Sequence, residues 1–156
     1  MSSSVDDMIH NSPVPIVKSD LPDKVKGLYV ESRNKKAILI NRSVKRADEE
    51  RCIIAEELGH YYTSSGNILD QENLNNRKQE QLARSWAYQH LIPLSKIVQA
   101  YRDHISGKHD LAEYLNVTED FLEAAIERYK QKYGVYTTYQ NYIIYFDPLG
   151  VVESIE

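Results

Sequence analysis

The sequence predicts an α+β chain, mainly helical, with a small N-terminal β-hairpin or sheet and a C-terminal helix-turn-helix-like helical pair. Three observations predict it. Two strand-like runs, Gly27–Glu31 and Lys36–Ile40, flank Ser32-Arg33-Asn34-Lys35, which has turn character and so reads as a hairpin. From Lys45 onward, apolar residues recur at i, i+3 and i+4, the period of helices with one buried face. Asp110–Tyr133 divides into two such helices around a short turn at Asn116-Val117.

The first segment, with Ser2-Ser3-Ser4 and Pro13, Pro15 and Pro22, predicts a frayed start, a short helix over Val5–His10, and an extended lead-in. In the second strand of the hairpin, Ile38 and Ile40 point one way and Ala37 and Leu39 the other, which suggests cover on both faces. Asn41-Arg42-Ser43 leads into a long helix from Lys45 to Ser64. Asp48, Glu49 and Glu50 lie near its start, where the helix dipole favours negative charge. Ser64-Ser65-Gly66-Asn67 ends it, and Ile68–Asn76 reads as a polar connection anchored by Ile68 and Leu74.

The next helix, Asn76–Leu91, presents Leu82, Ala83, Trp86, Ala87 and His90 or Leu91 as its inner face, and Pro93 stops it. Leu94–Ile105 aligns Leu94, Ile97, Val98 and Tyr101. In the helical pair, Thr118 is the N-cap of the second helix, followed by Glu119, Asp120 and Glu123. Those acids sit where a DNA-reading helix would meet phosphates, so the pair reads as structural. Gly134 breaks the helix, and Tyr142–Phe146 is a short strand.

A chain of 156 residues is long enough to bury a sizeable core, and one domain over 1–156 is expected. Within it, residues 1–22 form a partly flexible lead-in and 108–134 the helical pair. A formal net charge of −4 argues against a main business of gripping phosphate backbones, so no direct nucleic-acid contact is expected. Cys52 is the single cysteine, which excludes an internal disulfide and a thiolate metal cluster. No apolar run is long enough to span a bilayer and the N-terminus lacks a basic-plus-apolar signal; no membrane partner and a cytoplasmic location are expected. Twelve tyrosines against two phenylalanines and one tryptophan favour half-buried or binding positions, because tyrosine has a polar tip.

The chemistry concentrates in Arg51–Tyr62. Cys52 to Ala55 is apolar on almost every side, as in a helix entering a core, yet the next turn carries Glu56, Glu57 and His60. A helix turns ~100° and rises ~1.5 Å per residue, so Glu56 and His60 share a face and Glu57 lies about a quarter-turn away. In H-E-x-x-H helices the residues at i and i+4 bind zinc and the intervening Glu is the general base. This stretch reads Glu56-Glu57-Leu58-Gly59-His60, which keeps the spacing with a carboxylate in first place. On that spacing alone, a solvated acidic edge with a satisfied histidine is the commoner meaning. On the next helix, Glu80 stands one turn before Ala83 and Arg84, at the upstream end of the inner face.

With both helices in view, the chain resembles the ImmA/IrrE family of metallopeptidases found with phages and mobile elements. The residues that carry the resemblance are Glu57-Leu58-Gly59-His60, then Glu80-Gln81-Leu82-Ala83-Arg84-Ser85-Trp86-Ala87, then Leu91-Ile92-Pro93, and it extends over Leu28–Gly134. It implies a zincin-like fold, with His60 and Glu80 as metal ligands and Glu57 as general base. Glu56 stands where the family has its first histidine, which makes it the remaining ligand. Zinc is the implied cofactor, and manganese or iron are also admitted, because two carboxylates and one imidazole make a harder donor set. The implied activity is metal-dependent endopeptidase cleavage of a helix-turn-helix repressor, relieving repression of a phage or mobile element. A non-catalytic anti-repressor that holds the repressor without cutting it is the other reading, prompted by Glu56 in place of histidine. For an oxyanion partner, Tyr61, Tyr62, His90 and His104 all stay open.

Overall fold

Strand alternation and helical periodicity sort the chain into an α+β fold, six helices and six strands among residues 5–64 and 73–155, which the computed structural model describes. It divides into two compact units, Met1–Leu91 and Ile92–Glu156. The fraying expected at Ser2-Ser3-Ser4, the helix stop expected at Ser65-Gly66-Asn67 and the expected Ile68 anchor lie outside the described residues, as does the side chain of Leu74.

The first unit contains α1 (Val5–His10), β1 (Ile16–Ser19), β2 (Gly27–Ser32), β3 (Lys35–Asn41), α2 (Ala47–Thr63) and α3 (Asn73–Leu91). The hairpin forms as expected, with Gly27 opposite Ile40 and Ser32 opposite Lys35. The lead-in does more than extend. Its Ile16–Ser19 pairs parallel to β3, Ile16 opposite Ile38, making a three-stranded sheet in the order β1-β3-β2. Prolines at 13 and 15 cannot donate to a ladder, but Pro15 still accepts, taking the Ile38 N–H at 2.8 Å. Asn41 is a buried polar side chain and is fully engaged: its Nδ2 donates to the carbonyls of Leu21, Pro22 and Val25, and its Oδ1 accepts from Ser43 N. One side chain thus gathers the connection between β1 and β2.

Ile38 and Ile40 are completely buried against Val14, Val44, Ile54 and Leu58, with Met8 and Ile9 of α1 packed alongside. Ala37 and Leu39 are only half-buried, so β3 is covered fully on one face rather than on both. Arg51 of α2 donates through Nε to Asp6 of α1 at 2.9 Å, which fixes the short helix at its exposed side.

Helix α3 begins three residues earlier than the sequence pattern suggested. Its buried face is Ala83, Ala87 and Leu91, all without exposure, whereas Leu82 is 53% exposed. The expected inner face was therefore one residue too wide. The reason is the neighbour. A Cβ at Gly59 of α2 would strike the backbone carbonyl of Ala83 and lie 2.9 Å from its carbonyl carbon. The helices meet backbone to backbone there, and only the alanine row of α3 fits; Leu82 is turned about 100° away from it.

The second unit contains α4 (Leu94–Arg102), α5 (Lys108–Leu115), α6 (Glu119–Tyr133), β4 (Tyr136–Tyr139), β5 (Tyr142–Phe146) and β6 (Leu149–Glu153). Helix α4 stops three residues short of Ile105, and its Tyr101 is 42% exposed instead of joining Ile97 and Val98 inside. The helical pair is as expected: Asn116 takes the left-handed conformation that closes α5, and Thr118 Oγ1 accepts from Phe121 N at 3.1 Å. The strand at Tyr142–Phe146 is the centre of a second antiparallel sheet, β4-β5-β6, whose two edges the sequence pattern did not reveal. Tyr129 anchors α6 by donating its hydroxyl to Ile92 O at 2.8 Å.

The contact at Gly59 yields a prediction with a definite sign. In an open helix Gly→Ala stabilises by up to ~1 kcal/mol. At residue 59 the backbone of α3 blocks the methyl, so Gly59→Ala should destabilise by about 1–3 kcal/mol, the usual cost of overpacking. Urea denaturation monitored by circular dichroism measures it; a neutral or stabilised variant would mean the helices are not in contact there.

Candidate functional site

The same contact of α2 with α3 brings the ionisable groups together. His60 follows Gly59 directly, and Glu80 lies three residues before Ala83, so the two side chains meet across the helix pair. His60 Nε2 and Glu80 Oε1 are 3.1 Å apart, the His60 side chain 20% exposed and that of Glu80 52%. The pair is thus open to solvent from the α3 side. Glu56, one turn upstream of His60, is half-buried and feels both Glu80 and the Arg84 guanidinium.

Glu57 turns toward the sheet. The backbone amide of Tyr29 on β2 lies on that side and favours its charged form. Asn41 N–H bonds back to Lys26 O, so alternate residues of β2 pair with β3, and the N–H of Tyr29 points outward from the sheet edge. Gly27 permits this approach: a Cβ there would strike the Ile53 side chain and lie 3.4 Å from Glu57 Cγ.

Burial sets the electrostatics. The Glu57 carboxyl is pushed up to about 7, first by desolvation and then by the charges of Glu56 and Glu80, against the lowering effect of the Tyr29 amide. Glu56 is raised as well, again chiefly by desolvation, with Arg84 opposing and Glu80 adding. Two partly buried carboxylates, Glu56 and Glu57, thus lie within electrostatic reach of Glu80, an arrangement that bound cationic charge relieves.

The donor types suit a divalent cation, and Nε2 and Oε1 are spaced nearly as two ligands of one tetrahedral ion, which with bonds of ~2.0–2.2 Å lie roughly 3.3–3.5 Å apart. Glu56 is not drawn into the same group: among the described residues, no three His, Cys, Asp or Glu side chains close around one point. His60 and Glu80 are together; Glu56 stands beside them, with Arg84 as counter-charge.

Aromatic rings line the flank. Tyr61 meets Tyr29 edge-on at 6.2 Å and Tyr62 at 4.9 Å, and Tyr62, Trp86 and His90 form a stack with centroids 5.1 Å and 3.9 Å apart. His90 is committed, its Nδ1–H donating to Trp86 O at 2.7 Å. His104, exposed on the turn after α4, belongs to the second unit. Two contributors escaped the sequence reading. Arg84 had a signal, standing one turn after Glu80 on the same helix; the Tyr29 amide had none, because every residue but proline carries one.

A family model described as Peptidase_M78, IrrE N-terminal-like domain, matches residues 11–127. No curated protein matches the chain.

The raised Glu57 pKa has a consequence for the metal-free protein. Unfolded, this carboxyl ionises near its ordinary value of 4.5; folded, it holds its proton to about 7. Between these values the folded state binds more protons, so stability falls as pH rises through the window and levels off above it. Glu57→Gln removes that loss. The variant should match the parent near pH 4.5 and gain on it up to a plateau above pH 7, on the order of 2 kcal/mol once partial exposure is allowed for. Urea midpoints in chelator across this range test it, and parallel stability curves would show that Glu57 is not desolvated.

Proposed function

This chain belongs to the IrrE N-terminal-like peptidase family, and from that premise we propose that it is a cytoplasmic, metal-dependent endopeptidase that cleaves a helix-turn-helix repressor of a phage or mobile element, relieving repression. The observation that carries the reading is the His60–Glu80 pair, 3.1 Å apart across α2 and α3, with the half-buried Glu57 carboxylate on the same stretch of α2. Membership supports a metallopeptidase-type domain; the repressor as substrate rests on the resemblance.

Glu56, His60 and Glu80 are the residues that would hold the metal, zinc being the family's usual ion and manganese or iron suiting the harder donors. A bound divalent cation supplies Lewis-acid polarisation of the scissile carbonyl and the attacking water. Glu57 takes the proton from that water and passes it to the leaving amide nitrogen. The partly buried position of Glu57, with Ile53 and Gly27 of β2 packed beside it, holds the carboxylate where it can act on that water. Among the described residues β2 is an edge strand, so an extended substrate segment could add to it by strand pairing beside Glu57. No helix among the described residues is long and apolar enough to cross a membrane. The acidic first turn of α6 supports a protein partner in preference to direct nucleic-acid contact.

One observation favours the second reading, an anti-repressor that binds without cutting. Arg84 partly offsets the charge of Glu56, the residue that stands in for the family histidine, and so competes with any metal for that carboxylate.

Metal titration separates the roles. His60→Ala and Glu80→Ala should each abolish stoichiometric binding in calorimetry, Glu56→His should retain or tighten it, and Glu57→Gln should leave it intact. Stoichiometric metal in both alanine variants would remove the assignment.

Cleavage is read by co-expressing the chain with the repressor and recording both reporter output and the repressor's intact mass. The parent should fragment the repressor, and Glu57→Gln should do so ~10²–10⁴-fold more slowly, the range of general-base catalysis. Derepression with the repressor intact, in parent and Glu56→Ala alike, would establish the binder instead.

A further inference from the structure

The second unit holds a cleft of about 990 Å³ formed by α4, α5, α6 and β6, which the proposed chemistry does not use. Its floor is apolar, built from Ile97, Leu111, Leu122, Ile126, Leu149 and Val151. Its wall on α6 carries Asp120, Glu123 and Glu127, spaced so that all three share one helix face. Lys108, also lining the cleft, lies 3.2 Å from Glu123 and is neutralised by it. Farther along α6, beyond Arg128, Lys130 is turned to Asp147 at 3.0 Å. The rim that remains is acidic, at Asp120 and Glu127.

We propose that this cleft is a docking groove for a basic amphipathic segment of a partner protein. Apolar side chains of the segment lie on the floor, and its lysines or arginines face Asp120 and Glu127. The volume stands at the upper end of the roughly 300–1,000 Å³ of small-ligand pockets, which suits a row of anchoring side chains better than one metabolite. Amphipathic helices enter such grooves through apolar residues at i, i+3 or i+4, and i+7. The acidic rim repels nucleic-acid phosphate, fatty-acid carboxylate and anionic lipid, which leaves a basic peptide as the complementary occupant. The inference stands apart from the peptidase reading, because every lining residue belongs to the second unit.

The test uses the full chain and labelled synthetic helices, with binding read by fluorescence anisotropy. A leucine–lysine amphipathic helix should bind, more weakly as salt rises. A leucine–glutamate helix and a serine–lysine helix should not. The double variant Asp120→Asn/Glu127→Gln, both positions exposed, should keep its circular dichroism and lose roughly tenfold in affinity, as two surface ion pairs allow. A control with the same change in charge, Asp20→Asn/Asp23→Asn in the first unit, should bind as the parent does. Equal binding of the leucine–glutamate helix, or equal loss in the control, would overturn the groove and leave only an unspecific apolar or electrostatic attraction.

Discussion

The close approach of α2 and α3 at Gly59 is the constraint on which the candidate site depends. A residue without a side chain lets the backbone of α3 reach α2, and the alanines at 83 and 87 keep the helices near over the following turns. Because His60 and Glu80 flank this contact on their respective helices, their meeting at 3.1 Å follows from the packing rather than from mutual attraction. The apolar cluster of Ile38, Ile40, Ile54 and Leu58 then holds the sheet against the opposite side of α2, which sets β2 close enough for its amide to reach Glu57. Hydrophobic burial thus supplies the free energy that keeps three carboxylates near one another.

What the sequence disclosed follows physical range. Local signals were legible: the turn between β2 and β3, the Thr118 cap, and the helical spacing that sets Glu56 and His60 on one face. The pairing of Glu80 with His60 was legible only because two motifs occur together, since a lone glutamate on an amphipathic helix carries no such message. The strand at Ile16–Ser19 was hidden by its prolines and by its partner, a parallel strand more than twenty residues away, which no local pattern announces. Strands β4 and β6 were hidden because both are short edges, with Tyr136 and Val152 left exposed, so neither shows a clean buried face. Leu82 was misassigned because periodicity defines a face only to within a residue, and the choice within that face was made by the glycine opposite.

The helical pair of the second unit shows how one pattern carries different meanings. Spacing and cap are those of a helix-turn-helix, yet Glu119 and Asp120 in the first turn of α6 complement the helix dipole and set an acidic edge where a DNA reader needs a basic one. Cross-links from α5 offset part of that edge, with Lys108 joined to Glu123 and His109 lying 3.2 Å from Glu119, and leave Asp120 and Glu127 to keep it acidic. Charge, not backbone geometry, decides what such a scaffold can hold.

The group of residue 29 that acts on the Glu57 carboxylate is its main-chain amide, and this divides the mutational freedom of β2 unevenly. Any residue except proline at position 29 presents the same N–H, so drift there can alter the rim of the site while leaving the aim of the carboxylate untouched. Two positions earlier the tolerance vanishes, since any side chain at 27 collides with Ile53 and pushes the strand off the helix. Surface chemistry and close packing are therefore set at alternate positions of one strand, and the first can change without disturbing the second.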